Sequence, residues 1–179
     1  STSVGYVVAI GDDAMKSGNA TSAADGTVAI GGSALLELIS GGSNVAIGYQ
    51  SLSADTDGAS NVSIGYQAGK QLTGSTRNTI IGKGALSLPN GTADNLADCV
   101  VVGYEAFRGH ADNTTTDANG TTAIGSFALT VLTEGQYNTA VGYKSLTSNQ
   151  TADGCTAVGY DSLYENTAND NTAVGRGAM

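Results

Sequence analysis
His110, Cys99 and Cys155 are the residues of this chain best suited to catalysis or metal binding, and their setting speaks against both. His110 is the only histidine, and no Ser, Asp or Cys near it forms a nucleophile motif, so it reads as a loop residue. Two cysteines and one distant histidine lack the paired ligand spacing of a zinc site. The segment Gly65 to Gln71 has the outline of a phosphate-binding loop. It carries three residues between its glycines instead of four, however, and Gln71 follows Lys70 where Ser or Thr is needed. Asp55-Thr56-Asp57-Gly58 offers oxygen ligands to calcium but lacks the twelve-residue calcium-loop pattern and the Gly-Gly-x-Gly-x-Asp repeat, so turn chemistry is the expected use. Six Asn-x-Ser/Thr sequons, at Asn19, Asn61, Asn90, Asn113, Asn119 and Asn149, follow from the abundance of Asn and Thr. The sequence therefore assigns no catalytic residue, no cofactor site and no metal site.

Five tyrosines, Tyr49, Tyr66, Tyr104, Tyr143 and Tyr160, each follow a glycine and form the candidate ligand-binding set, because aromatic rings on a rigid surface stack on sugars. The plainer use of such a column is a structural ladder from one repeat to the next. Either use requires something to hold the rings in line, and a repeat supplies it. Ten copies of one phrase, of which Asn138-Thr139-Ala140-Val141-Gly142-Tyr143-Lys144-Ser145-Leu146 is representative, centre on Gly11, Gly31, Gly48, Gly65, Gly82, Gly103, Gly125, Gly142, Gly159 and Gly175. Their spacings are 20, 17, 17, 17, 21, 22, 17, 17 and 16, a base period of 17. The array occupies residues 7–179 after a lead-in of residues 1–6.

Val or Thr, then mostly Ala, then Ile or Val before the glycine is a short β-branched run closed by a turn former, which predicts a strand. Alternation puts the Val/Thr and Ile/Val columns on one face and Ala with Gly on the other. The bulky face is the expected core, with Ile47 and Val141 among its members, and the flat Ala/Gly face is the expected partner surface. Asn precedes the strand in five copies, Cys99 and Cys155 occupy the same column in copies six and nine, and Leu ends the phrase in six copies. Three coils at ~4.8 Å separate the cysteines by about 14 Å, too far for a disulfide. Polar corners rich in Asp, Asn, Thr, Ser and Gly join the phrases. They lengthen at 16–26, 87–98 (with Pro89) and 108–120, the places best suited to recognition. Equal phrases with polar corners stack into an all-β parallel β-solenoid or β-roll of about ten 17-residue repeats.

Composition agrees with thin stacked layers. Of 179 residues 26 are Gly, which disfavours helix, and only 6% are aromatic, which disfavours one thick core. The few large apolar side chains of one coil cannot offset the entropy of ordering 17 residues, so each coil needs neighbours. A net charge of −9 with scattered basic residues excludes nucleic acid as a partner, and no apolar run reaches the ~18 residues of a membrane span, so no direct membrane insertion is expected. The start at Ser1, with no Met, reads as a piece of a longer chain.

The phrase resembles the repeats of trimeric autotransporter adhesin heads and, at least as closely, the Gly-Tyr repeats of phage tail fibres. That resemblance covers residues 7–179 and implies a left-handed roll, three chains assembled as a homotrimeric fibre segment. It further implies a non-enzymatic structural or attachment role at an extracellular location, on a virion tail fibre or a bacterial cell surface, with a host-surface glycan or protein as partner. The adhesin head is the alternative to the fibre. An ice-binding β-solenoid is a third possibility, raised by the regularly spaced threonines and opposed by their place on the expected core face.

Overall fold
A computed structural model describes residues 5–17, 24–88, 93–109 and 117–179. His110, Pro89 and the sequons at Asn19, Asn90 and Asn113 lie outside the described residues, as do parts of all three long corners.

The chain folds as an all-β parallel solenoid of about nine turns. Each repeat gives one three-residue strand: β1 (Val8–Ile10), β2 (Val28–Ile30), β3 (Val45–Ile47), β4 (Val62–Ile64), β6 (Thr79–Ile81), β8 (Val100–Val102), β9 (Thr122–Ile124), β10 (Thr139–Val141), β11 (Thr156–Val158) and β12 (Thr172–Val174). These ten strands form one parallel sheet in chain order, with equivalent residues paired throughout, as in Val28↔Val45, Ala29↔Ala46 and Ile30↔Ile47. The pairing crosses the 21- and 22-residue spacings without slipping: β6 pairs with β8 and β8 with β9. Extra residues therefore leave the frame at the corners. The corners of the middle coils carry a second, two-stranded parallel sheet, β5 (Leu72–Thr73) with β7 (Ala93–Asp94).

Which face of the strand is inside is the reverse of the sequence expectation. The middle column, Ala29, Ala46, Ser63, Ile80, Val101, Ala123, Ala140 and Ala157, is fully buried. The Val/Thr and Ile/Val columns look outward and are half-buried or exposed, Ile47 and Val141 among them. The reason is width. The inside of the coil is filled from the turn and the corner: Leu35, Leu52, Leu86, Phe107, Leu129 and Leu146 are fully buried four residues after the glycine, and Leu38 and Leu132 are buried three residues further on. With that space taken, the inward strand residue is Ala or Ser in eight of ten copies, Ile80 and Val101 being the exceptions, and the β-branched side chains face outward.

The turn geometry explains the invariant glycine. At Gly31 φ is +130°, and a Cβ there would stand 2.7 Å from the carbonyl carbon of Gly48 in the next coil. The core leucines sit in the left-handed region too, for example Leu52 at φ +49°. That conformation costs a non-glycine residue about 1–2 kcal/mol, comparable to the gain from burying a leucine side chain.

Candidate functional site
Three side-chain ladders climb the solenoid, built largely from the columns of the repeat. The innermost is polar. Asn44, Asn61 and Asn78 are buried, and each Oδ1 accepts the backbone N–H of the next coil: Asn61 N at 2.9 Å, Asn78 N at 3.0 Å and Cys99 N at 2.9 Å. Their Nδ2 groups donate to corner carbonyls, Gly58 O at 2.7 Å, Ser75 O at 2.6 Å and Leu96 O at 2.9 Å, so each Asn ties a strand to a corner. Cys99 and Cys155 stand in this ladder with free, buried thiols. The Cys99 thiol donates to Ala118 O at 3.3 Å and the Cys155 thiol to Ala168 O at 3.3 Å, the role Nδ2 plays elsewhere. Burial pushes the Cys99 thiol up to about 11, which makes it a poor nucleophile. At Thr121 the ladder breaks: its buried Oγ1 has no partner.

The second ladder is aromatic and joins the five tyrosines. Tyr49 and Tyr66 stack with centroids 5.5 Å apart, and Tyr143 and Tyr160 do so at 5.4 Å. Phe127 bridges Tyr104 and Tyr143 edge-on, at 5.3 and 6.0 Å. Lys83 fills the remaining rung with its ammonium 5.7 Å from both the Tyr66 and Tyr104 rings, and Arg176 covers Tyr160. The stacked pairs face each other, Lys83 and Arg176 lie over ring faces, and Phe127 meets Tyr104 and Tyr143 at right angles. Sequence reasoning missed Lys83, Arg176 and Phe127. The first two share the tyrosine column, and Phe127 sits one place after Ser126, where that column lacks a ring.

The third ladder is the outward stripe. Ile64, Ile81, Val100, Ile124 and Val158 are exposed in the middle of the sheet although identical coils flank them, and Ile10 and Val174 on the edge strands are more exposed still. Thr79, Thr122, Thr139, Thr156 and Thr172 lie in the same outward columns. Nine intervals at ~4.8 Å by three residues at ~3.3 Å make a stripe of about 430 Å2, with one outward column Ile or Val throughout and the other half Val and half Thr.

Asp55 does turn work, as its sequence context predicts. Its Oδ1 accepts Gly58 N at 2.9 Å and Gly74 N at 3.1 Å, while its buried Oδ2 has no partner. Desolvation pushes the carboxyl up to about 6 against the pull of those two N–H groups. Among the described residues no cluster of three or more His, Cys, Asp or Glu is placed to hold a metal, and no helix is long and apolar enough to cross a membrane. The phosphate-loop outline at Gly65 to Gln71 is one copy of the repeat, its strand and turn in register with the rest.

The chain matches no protein-family model, no curated protein and no solved structure.

Proposed function
We propose that this chain is a non-enzymatic structural and attachment protein, an extracellular segment of a homotrimeric tail fibre of the phage type that presents its corners to a host surface. The observation that carries the reading is the outward β-branched stripe. It runs unbroken along all ten strands, repeats with the step of the coil, and leaves Ile and Val side chains in water. A second and third copy bring stripes of the same length and step, so that three chains around one axis remove their apolar columns from solvent together. The stripe supplies the need for a partner, and the resemblance to fibre and adhesin repeats supplies the number three. The same geometry serves the head of a bacterial trimeric adhesin equally well. Native mass spectrometry tests the assembly. The expected species is three times 17.7 kDa, and a 17.7 kDa monomer persisting at micromolar concentration would overturn the reading.

One observation favours the ice-binding alternative more than the sequence did. Thr122, Thr139, Thr156 and Thr172 are in register and face outward beside Ile or Val, so the objection that they lie in the core falls away. Measurement of freezing-point hysteresis separates the two. A trimer that hides the stripe gives none, whereas hysteresis from a monomeric chain would replace the fibre reading.

A further inference from the structure
Copy five breaks the surface of the solenoid. Where its neighbours carry Tyr66-Gln67 and Tyr104-Glu105 after the glycine, it carries Lys83-Gly84. Gly84 has no side chain to continue the column between Gln67 and Glu105. The result is a groove of about 240 Å3, whose lining includes Lys70, Lys83, Arg108, Gln67 and Gln71.

Charge distinguishes this groove from the rest of the molecule. The chain has only seven basic residues against sixteen acidic ones, yet three of the seven line this depression, and among the described residues Glu105 is the one carboxylate in its lining. Among the described residues Lys70 and Lys83 make no salt bridge, while Lys16 and Arg77 are spent on Asp13 and Asp98. Arg108 reaches Glu105 through a single Nη1 at 3.3 Å, which leaves the other guanidinium N–H groups unused by that contact. The amides are set as well. Gln71 Oε1 accepts Leu88 N at 3.1 Å and Ser87 Oγ at 3.3 Å, so its remaining groups are N–H donors. Gln67 Nε2 donates one N–H to Gln50 Oε1 at 2.8 Å, which leaves its Oε1 as an acceptor and its second N–H as a donor.

We infer that the groove binds an acidic sugar, one carboxylate-bearing ring of a surface polysaccharide, with Lys70, Lys83 and Arg108 on the carboxylate and the Gln67 and Gln71 amides on the hydroxyls. Three cations and an amide N–H select an anion. An amide acceptor in the same space suits a ligand that also spreads several hydroxyl donors around a ring, where inorganic phosphate offers one or two P–OH groups on a single centre. The volume accommodates one ring. The net charge of −9 disfavours a densely charged phosphodiester chain, whereas a single carboxylate per sugar meets only the local positive field. The proposal deepens the attachment reading, on which it rests for the source of the sugar.

The test is an NMR titration of the whole chain with glucuronate, with glucose and inorganic phosphate as comparison ligands, on the parent and on Lys70→Gln and Arg108→Gln. Saturable binding of glucuronate, none of glucose, and about ten-fold weaker binding in each variant with unchanged native mass is the expected result. Phosphate binding as tightly as glucuronate would overturn the sugar assignment, and absence of glucuronate binding, or binding indifferent to both substitutions, would overturn the site. Glucuronate binding by a monomeric chain would leave the groove standing and remove the trimeric fibre. A trimer blind to glucuronate would do the reverse.

Discussion
The inner and outer columns of the ten-stranded sheet differ in a way that hydrophobicity alone does not foretell. Ala, among the smaller apolar residues, is the buried one, and Ile and Val face outward. In an ordinary domain the bulky face of a strand seeks the core because the core is deep. Here the interior is narrow and already holds the turn and corner leucines, as with Leu35 and Leu38 or Leu129 and Leu132, so volume decides. The middle coils show the rule by exception. Gly69 replaces the core leucine of copy four, and the vacated space is bordered by Leu72 and by Ile80 of the next coil, which stands where seven copies have Ala. A Cβ on Gly69 would lie 2.8 Å from Leu52 Cδ2 and 3.1 Å from Ile80 Cδ1. Large and small have changed places, and the packed volume is kept.

Substitutions that discriminate inside from outside sharpen this contrast. The largest effect is expected at the stacked glycines. Gly31→Ala forces a Cβ against the Gly48 backbone at a φ of +130° and should cost about 4 kcal/mol in urea unfolding. The adjacent Gly32→Ala has ordinary φ and meets only the Tyr49 ring edge at 3.3 Å, so it should fall within about 1 kcal/mol of the parent.

Next comes the buried corner carboxyl. Because folding raises Asp55 from 3.8 to about 6, the folded state holds its proton where the unfolded state has released it. Its contribution is fully present below about pH 4 and is lost as pH rises to about 6, by up to about 3 kcal/mol. Asp55→Asn should remove this part of the pH dependence of melting temperature, and a parent protein that gains stability between pH 4 and pH 6 would contradict the burial.

The polar ladder follows. Asn61→Ala removes the donor to Ser75 O and the acceptor of Asn78 N, and should cost about 2 kcal/mol, while Cys99→Ala, losing only weak thiol bonds, should cost less than about 1 kcal/mol. The smallest effect belongs to the outside. Tyr143→Ala breaks one stacked and one edge contact on the half-exposed aromatic ladder and should cost about 1 kcal/mol by thermal melting.

The repeat was legible in full because each column admits so few residue types, and with it came strand positions and parallel stacking; the short pairing of Ala93–Asp94 inside the long corner did not. Alternation along the strand was legible as well. The direction of the alternation was not, since a period of two names two faces without saying which is inside. That information sits in the leucine four residues past the glycine, whose left-handed backbone turns it back over the strand. The tyrosine column could be seen, but its continuity through Lys83 and Phe127 depends on how far each side chain reaches. The groove beside Gly84 was hidden for the same reason, because Lys70 and Arg108 are 38 positions apart and meet only through the coil step.

In the proposed assembly the outward face of the sheet joins the copies, while each coil keeps a core of its own. Far-UV circular dichroism with native mass, on Val141→Asp beside Ala140→Asp, tests it most directly. The expected outcome is a folded 17.7 kDa monomer for Val141→Asp, since the carboxylate meets water once the copies separate, and loss of the β signal for Ala140→Asp, where it is buried without a partner. A folded Ala140→Asp, an unfolded Val141→Asp, or a Val141→Asp that keeps the trimer mass would contradict it.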